Sequence, residues 1–184
     1  MNKVKPIINE PVVNDSPIYT PESLQQLVHH LWNDRKLPKA ESSLLYTVLG
    51  AFAGLRPQEA LDLEWKAVDF AERRIRVVAG DKTERLIPIQ ANLSEFLSPY
   101  VTRRGFVVIH KKVTTILRDY CDVAKVTHIP NGLRRSYTAY RMVETSQEVV
   151  EAESGMAPGT LKEKFSKLPS ASTAKKYWAV VPLK

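Results

Sequence analysis

Apolar positions recur along most of this chain at helical spacing, with one interruption where they alternate. Leu24, Leu27, Val28 and Leu31 fall on one face. Ahead of them Thr20 can cap an orphan backbone N–H and Pro21 suits the first helical turn, so a helix starts there. Leu44 through Phe52 is apolar nearly all round and stops at Gly54, which predicts a helix buried at the centre of a domain. Arg56 follows at once, and Pro57 restarts a short helix through Leu63. Arg56 therefore sits at a junction between two helices, its guanidinium held rigidly and aimed outward.

The alternating stretch comprises two β-prone runs, Arg74 to Ala79 and Arg85 to Ile89, joined by Gly80-Asp81-Lys82-Thr83-Glu84. Such a polar, glycine-containing connection predicts a hairpin with Lys82 in its tip. Helical spacing resumes with Leu93, Phe96, Leu97 and Tyr100. The brief run Phe106 to Ile109 reads as a strand or as a helix lead-in. Val113, Ile116, Leu117 and Tyr120 mark another amphipathic helix, and Ile129-Pro130-Asn131-Gly132 breaks the chain before a helix that begins near Leu133. Shorter helices are expected over 147–151, 158–167 and 172–180, punctuated by Gly155 and by Pro169-Ser170. The fold class is mainly α with a small antiparallel β-sheet (α+β).

Residues 1–18 carry Pro6, Pro11 and Pro17 without sustained periodicity, which predicts an extended arm or linker ahead of one domain over 19–184. At 184 residues and 43% hydrophobic composition there is enough for one core and too little for two. No run approaches the roughly 18 apolar residues of a membrane span. No secretory signal opens the sequence, so a soluble, cytoplasmic protein with no membrane partner is expected. Cys121 is the only cysteine, which rules out an internal disulfide and a thiolate zinc cluster and leaves core filling as its role. No metal and no cofactor is expected. The formal charge of +7 favours a polyanionic partner, because cations that neutralise phosphates release condensed counterions.

Particular residues sharpen that preference. Tyr19-Thr20-Pro21-Glu22 enters the first helix, Ala53-Gly54-Leu55-Arg56-Pro57-Gln58-Glu59-Ala60 closes the buried one, and Pro130-Asn131-Gly132-Leu133-Arg134-Arg135-Ser136-Tyr137 opens a late one. In this order, with a lysine-bearing hairpin between, they resemble the catalytic domain of the tyrosine recombinase (phage integrase) family over roughly residues 19–180. The resemblance implies that Arg56 and Arg134 are the family's two phosphate-binding arginines and that Glu59 supports the first. It offers Lys82 as the hairpin lysine that protonates the leaving 5′-oxygen; a plain exposed turn lysine is the other reading, and both stay open.

Measured against that family, several positions depart. Asn131 stands at the usual histidine position, and Arg135 replaces the histidine that often follows the second arginine. His128 lies three positions too early and reads as a loop histidine. Glu153-Ser154-Gly155-Met156-Ala157-Pro158 resembles the family's Gly-His-Ser turn, or its Gly-Asn-Ser-Pro variant, with Met156 at the polar position. Nine residues further, where the resemblance places the nucleophilic tyrosine, stands Phe165. The tail from Ala174 to Pro182 resembles the end of one bacterial subgroup and supports that register; Tyr177 within it reads as an apolar anchor beside Trp178.

The family's reaction needs an oxygen nucleophile, cations around the phosphorus and a proton source. Arg56 and Arg134 meet only the second need. A phenyl ring has no oxygen, and neither Asn131 nor Met156 shuttles protons near neutrality. The expectation is therefore a recombinase-like domain that binds double-stranded DNA without cleaving it, through Arg56, Arg134, Arg135, Lys162 and Lys164, with Lys167, Lys175 and Lys176 nearby. A lone tyrosine-to-phenylalanine change would suit an engineered trap, whereas the accompanying departures favour natural decay within a mobile element. Two alternatives stand: an active enzyme using Tyr177, Tyr137 or a partner subunit's donor, and a protein-interaction module. The latter would pair copies, or active recombinase subunits, through the C-terminal helix. Residues 1–18 are too few for the helical DNA-clamping domain that active members usually carry.

Overall fold

The computed structural model describes residues 18–78, 83–161, 165 and 167–183. Helix α1, Pro21–Asn33, begins as its sequence dictates: the Thr20 hydroxyl accepts from the Ser23 N–H at 3.1 Å, and Leu24, Leu27, Val28 and Leu31 are fully buried. Ile18, placed in the arm by the sequence boundary, packs into the core. Helix α2, Pro38–Ala53, starts earlier than its apolar run suggested, because Pro38 supplies a first-turn position. It is the central element, buried continuously from Ser42, with α1 and four later helices packed against it. Its C-cap Gly54 has φ +63°, the left-handed conformation that ends helices with glycine.

Helix α3, Pro57–Asp62, follows the Arg56 junction, and a three-stranded antiparallel sheet comes next, in the order β1 (Val68–Asp69), β2 (Arg74–Val78), β3 (Glu84–Pro88). The β2–β3 pair is the expected hairpin, with Val77 opposite Arg85 and Ile75 opposite Ile87. Ile75, Val77 and Ile87 face the core. Strand β1 was not foreseen, since two residues carry no readable period. The run at 106–109 is neither strand nor helix: Phe106 forms one isolated bridge with Glu64, and the Val107 N–H donates to the Leu63 carbonyl.

Helices α4 (Ala91–Leu97) and α5 (Val113–Val123) complete the packing on α2, and Cys121 fills the core as expected. Helix α6, Gly132–Glu144, crosses α2 closely enough that a Cβ at Gly50 would lie 3.0 Å from the Leu133 Cβ. Tyr19 ties its start to α1: the Tyr19 N–H donates to the Ser136 hydroxyl at 2.8 Å, and the Tyr140 hydroxyl donates to the Tyr19 carbonyl. Helix α7 runs Gln147–Ser154 and ends on Gly155, again left-handed at φ +61°. Of the helix expected over 158–167, helical backbone is seen at Thr160–Leu161, while 162–164 and 166 lie outside the described residues.

Helix α8, Ala171–Trp178, returns to the core of its own chain. Tyr177 is fully buried, stacks on Tyr140 with ring centroids 3.9 Å apart, and donates its hydroxyl to the Ala51 carbonyl. It is thus the apolar anchor its neighbours implied. No helix among the described residues is long and apolar enough to cross a membrane.

Candidate functional site

Between α2, α5 and α6, beside the start of α3, a cavity of about 850 Å³ opens, lined among others by Arg56, Asn131, Arg134, Arg135, Met156 and Phe165. Six of the residues singled out from sequence, spread over the chain, thus meet on one wall. Lys82, Lys162 and Lys164 lie outside the described residues. Arg118 and His128 line the same cavity. His128 does occupy a loop, as read, but in the cavity wall; burial and the Arg118 charge lower its pKa below the ordinary value, so the ring is neutral at neutral pH. Among the described lining residues there are four arginines and no carboxylate.

The arginines are placed by backbone. Helix α7 ends in three successive carbonyls that point toward α3 and α6, and each receives a different guanidinium. Arg85 Nε donates to the Glu153 carbonyl at 2.9 Å, Arg134 Nη2 to Ser154 at 2.5 Å, and Arg56 Nη2 to Gly155 at 2.6 Å. Arg134 Nη1 also donates to the Gly54 carbonyl at the end of α2. Helix C-termini carry unpaired carbonyls and partial negative charge, so cations there satisfy both needs. The residue left-handed before α6 is Asn131, with φ +56°, a conformation asparagine adopts more readily than most side chains.

Glu59 organises the first arginine. Its carboxylate accepts from the Arg56 N–H at 2.7 Å and from Arg56 Nη1 at 3.0 Å, a box that closes the start of α3. Arg85 completes it with a bidentate pair, Nη1 to Oε1 at 2.9 Å and Nη2 to Oε2 at 2.6 Å. Burial works against ionisation of Glu59, but the hydrogen bonds from Arg85 and from the Arg56 N–H outweigh it and hold the carboxyl below its usual range. Arg134 shows the opposite strain: burial, then repulsion from Arg56, brings its guanidinium down to about 10, still charged at neutral pH. A buried cation, Arg134, beside a half-exposed one, Arg56, forms a place where an anion would relieve repulsion.

The hydroxyls nearest to serving as substitutes for a tyrosine at 165 are engaged. Tyr137 is buried and donates to Glu153 at 2.7 Å; burial, then the Glu153 charge, pushes its pKa far up. Arg141 holds Glu153 from the other side through two hydrogen bonds. Tyr177 is fully buried and its pKa is raised well above normal by burial. Arg85 went unnoticed as a site residue. The one available signal was its register on β3, where it shares the inward face with Ile87.

This helical domain with a three-stranded sheet has the architecture of tyrosine recombinase catalytic domains. XerA recombinase superposes with a TM-score of 0.66 at 16% identity, covering 98% of this chain and 67% of that one. The catalytic domain of bacteriophage HP1 integrase matches with a TM-score of 0.61 at 15% identity, over 90% of this chain and 88% of the other. XerH, in a post-cleavage complex with palindromic difH substrate, matches with a TM-score of 0.60 at 16% identity, over 89% of this chain and 53% of its own. The phage integrase family model matches residues 18–155, and the chain belongs to that family. No curated protein matches it.

Proposed function

We propose that this chain is a recombinase-like domain that grips duplex DNA by its phosphates and leaves the strands uncut. The observation that carries this reading is the composition of the cavity wall: among the described residues, four arginines and no carboxylate, beside a phenylalanine. Guanidinium forks match phosphate oxygens bidentately and stay charged at any working pH. Arg56, with its side chain 43% exposed, spends one N–H of its guanidinium on Glu59 and one on the Gly155 carbonyl, which leaves three for a phosphate. XerH, of the same fold, is seen with a DNA substrate, which supports DNA as the polyanion.

Strand cleavage would need an oxygen where Phe165 supplies only a ring. Met156, at the polar position of the turn, has a thioether that donates no proton. The expected results are salt-sensitive duplex binding and no covalent adduct on a nicked suicide duplex. In fluorescence anisotropy, Arg56→Ala and Arg134→Ala should each weaken binding about tenfold or more, as for loss of a charged hydrogen bond, and each should flatten the log K against log salt slope by about 0.9. Binding that does not weaken from low to moderate salt, or that is indifferent to both substitutions, ends the proposal.

A second reading, an active strand transferase with its tyrosine donated by another subunit, has one observation in its favour. His128 offers a neutral imidazole in the cavity wall, a group able to move a proton. Any protein–DNA adduct from the suicide duplex that maps to a tyrosine would establish it.

A further inference from the structure

We infer that Arg85 is a positioning residue for Arg56, acting through Glu59 to keep the Arg56 charge available to a phosphate. This rests on the phosphate-binding reading above.

Arg85 is itself shut away from any ligand. Its side chain is 9% exposed, it is not part of the cavity wall, and its partner Glu59 is 8% exposed. What it can affect is the carboxylate it shares with Arg56. Each Glu59 oxygen accepts one bond from each arginine: Oε1 from Arg56 Nη1 and Arg85 Nη1, Oε2 from the Arg56 N–H and Arg85 Nη2. With Arg85 present, the buried negative charge has its own counter-cation, and Arg56 keeps most of its positive charge for something outside. Without Arg85, Glu59 becomes a full counterion to Arg56, draws the guanidinium inward and cancels the charge it would offer an approaching phosphate.

A second contact fixes Arg85 independently of Glu59. Its Nε donates to the Glu153 carbonyl, one residue before the carbonyl that holds Arg134 and two before the one that holds Arg56. The fit is close at that end: a Cβ on Gly155 would lie 3.2 Å from Arg85 Nη1, and Gly155 is already at φ +61°. The strand, the α3 start and the α7 end are therefore joined at one guanidinium, which no lysine could reproduce in full because it lacks the planar fork.

The experiment is a double-mutant cycle on the full chain, with Arg85→Met, Arg85→Lys and Arg56→Ala, read by anisotropy on a labelled duplex across a salt series. A parallel arm records the Arg56 Nε–Hε resonance in the DNA-free protein, using ¹⁵N-labelled arginine. Arg85→Met should weaken binding about tenfold and flatten the salt slope by about 0.9, although Arg85 touches no phosphate. In the Arg56→Ala background the same change should alter affinity less than about twofold, and Arg85→Lys should recover part of the loss. In Arg85→Met the Arg56 resonance should move toward that of a guanidinium held in a closer ion pair with Glu59. An unchanged salt slope, equal losses in both backgrounds, or an Arg56 resonance that does not move would each overturn the inference. If the unaltered protein fails to bind DNA, the function proposed above falls and the resonance alone decides the role of Arg85.

Discussion

Tyr177 and Phe165 divide between them what a reactive tyrosine would have combined. One has the hydroxyl and no access, because its oxygen is spoken for by the Ala51 carbonyl and its ring is buried. The other lines the cavity and has no oxygen. If the Tyr177 hydroxyl is structural, Tyr177→Phe removes one buried hydrogen bond and leaves an orphan carbonyl. The expected cost is about 1–3 kcal/mol in urea unfolding, with DNA affinity unchanged. A change in DNA affinity of the folded protein would place that hydroxyl in the site instead. Asn131 and Arg134 were legible at this scale because each stands beside a recognisable Leu-Arg box. Arg85 was not, since a strand arginine looks solvated until the inward face of its sheet is known, and that face is set by tertiary packing.

Among the elements, the turn from α2 to α3 is the most constrained. Gly54 needs a left-handed backbone, and a Cβ there would come within 2.3 Å of Tyr137 Cδ1 on α6. Gly54→Ala should cost about 1–2 kcal/mol for the backbone alone, with a further 1–3 kcal/mol or so for overpacking. The expected readout is a thermal midpoint several degrees lower; an unchanged midpoint would mean the α2–α6 contact is looser than described. Helix limits marked by Thr20-Pro21, Gly54-Arg56-Pro57 and Gly132 could be read from sequence because capping is local chemistry. Strand β1 could not, because two residues carry no readable period even with their partners close by in sequence, and the bridge at Phe106 could not because it pairs with the remote Glu64. Lys82 keeps the standing the sequence gives it, as a hairpin proton donor or a plain turn lysine, and Lys162 and Lys164 keep theirs, as candidate contacts to the DNA backbone.

For the whole molecule, stability should carry a tyrosine signature. Burial, with a smaller contribution from Glu41, raises Tyr100 to about 12; burial, with Glu22, raises Tyr140 to about 12. Tyr19, Tyr137 and Tyr177 are raised as well, chiefly by burial. The folded state thus keeps protons that the unfolded chain sheds near its ordinary value of about 10. Their contribution is complete below pH 10 and is lost as pH climbs through the folded values. Urea unfolding should show a fall that begins near pH 9, where the unfolded chain ionises Cys121, whose thiol burial pushes up to about 11, and that steepens above 10 by up to about 1.4 kcal/mol per pH unit for each tyrosine so held. Tyrosinate absorbance should appear together with the loss of structure; ionisation of all the tyrosines while the fold persists would contradict the burial described.

The last turn of α7 bears on how this scaffold can change over time. Three guanidiniums from three separate stretches of chain read consecutive carbonyls there, so their common reference is the angular phase of a single short helix. Inserting or deleting one residue upstream would rotate that phase by about 100° and unseat all three together. Substitutions at Asn131, Met156 or Phe165 leave the phase untouched. Drift can therefore alter those three positions one at a time, whereas length variation in α7 would displace all three arginines at once.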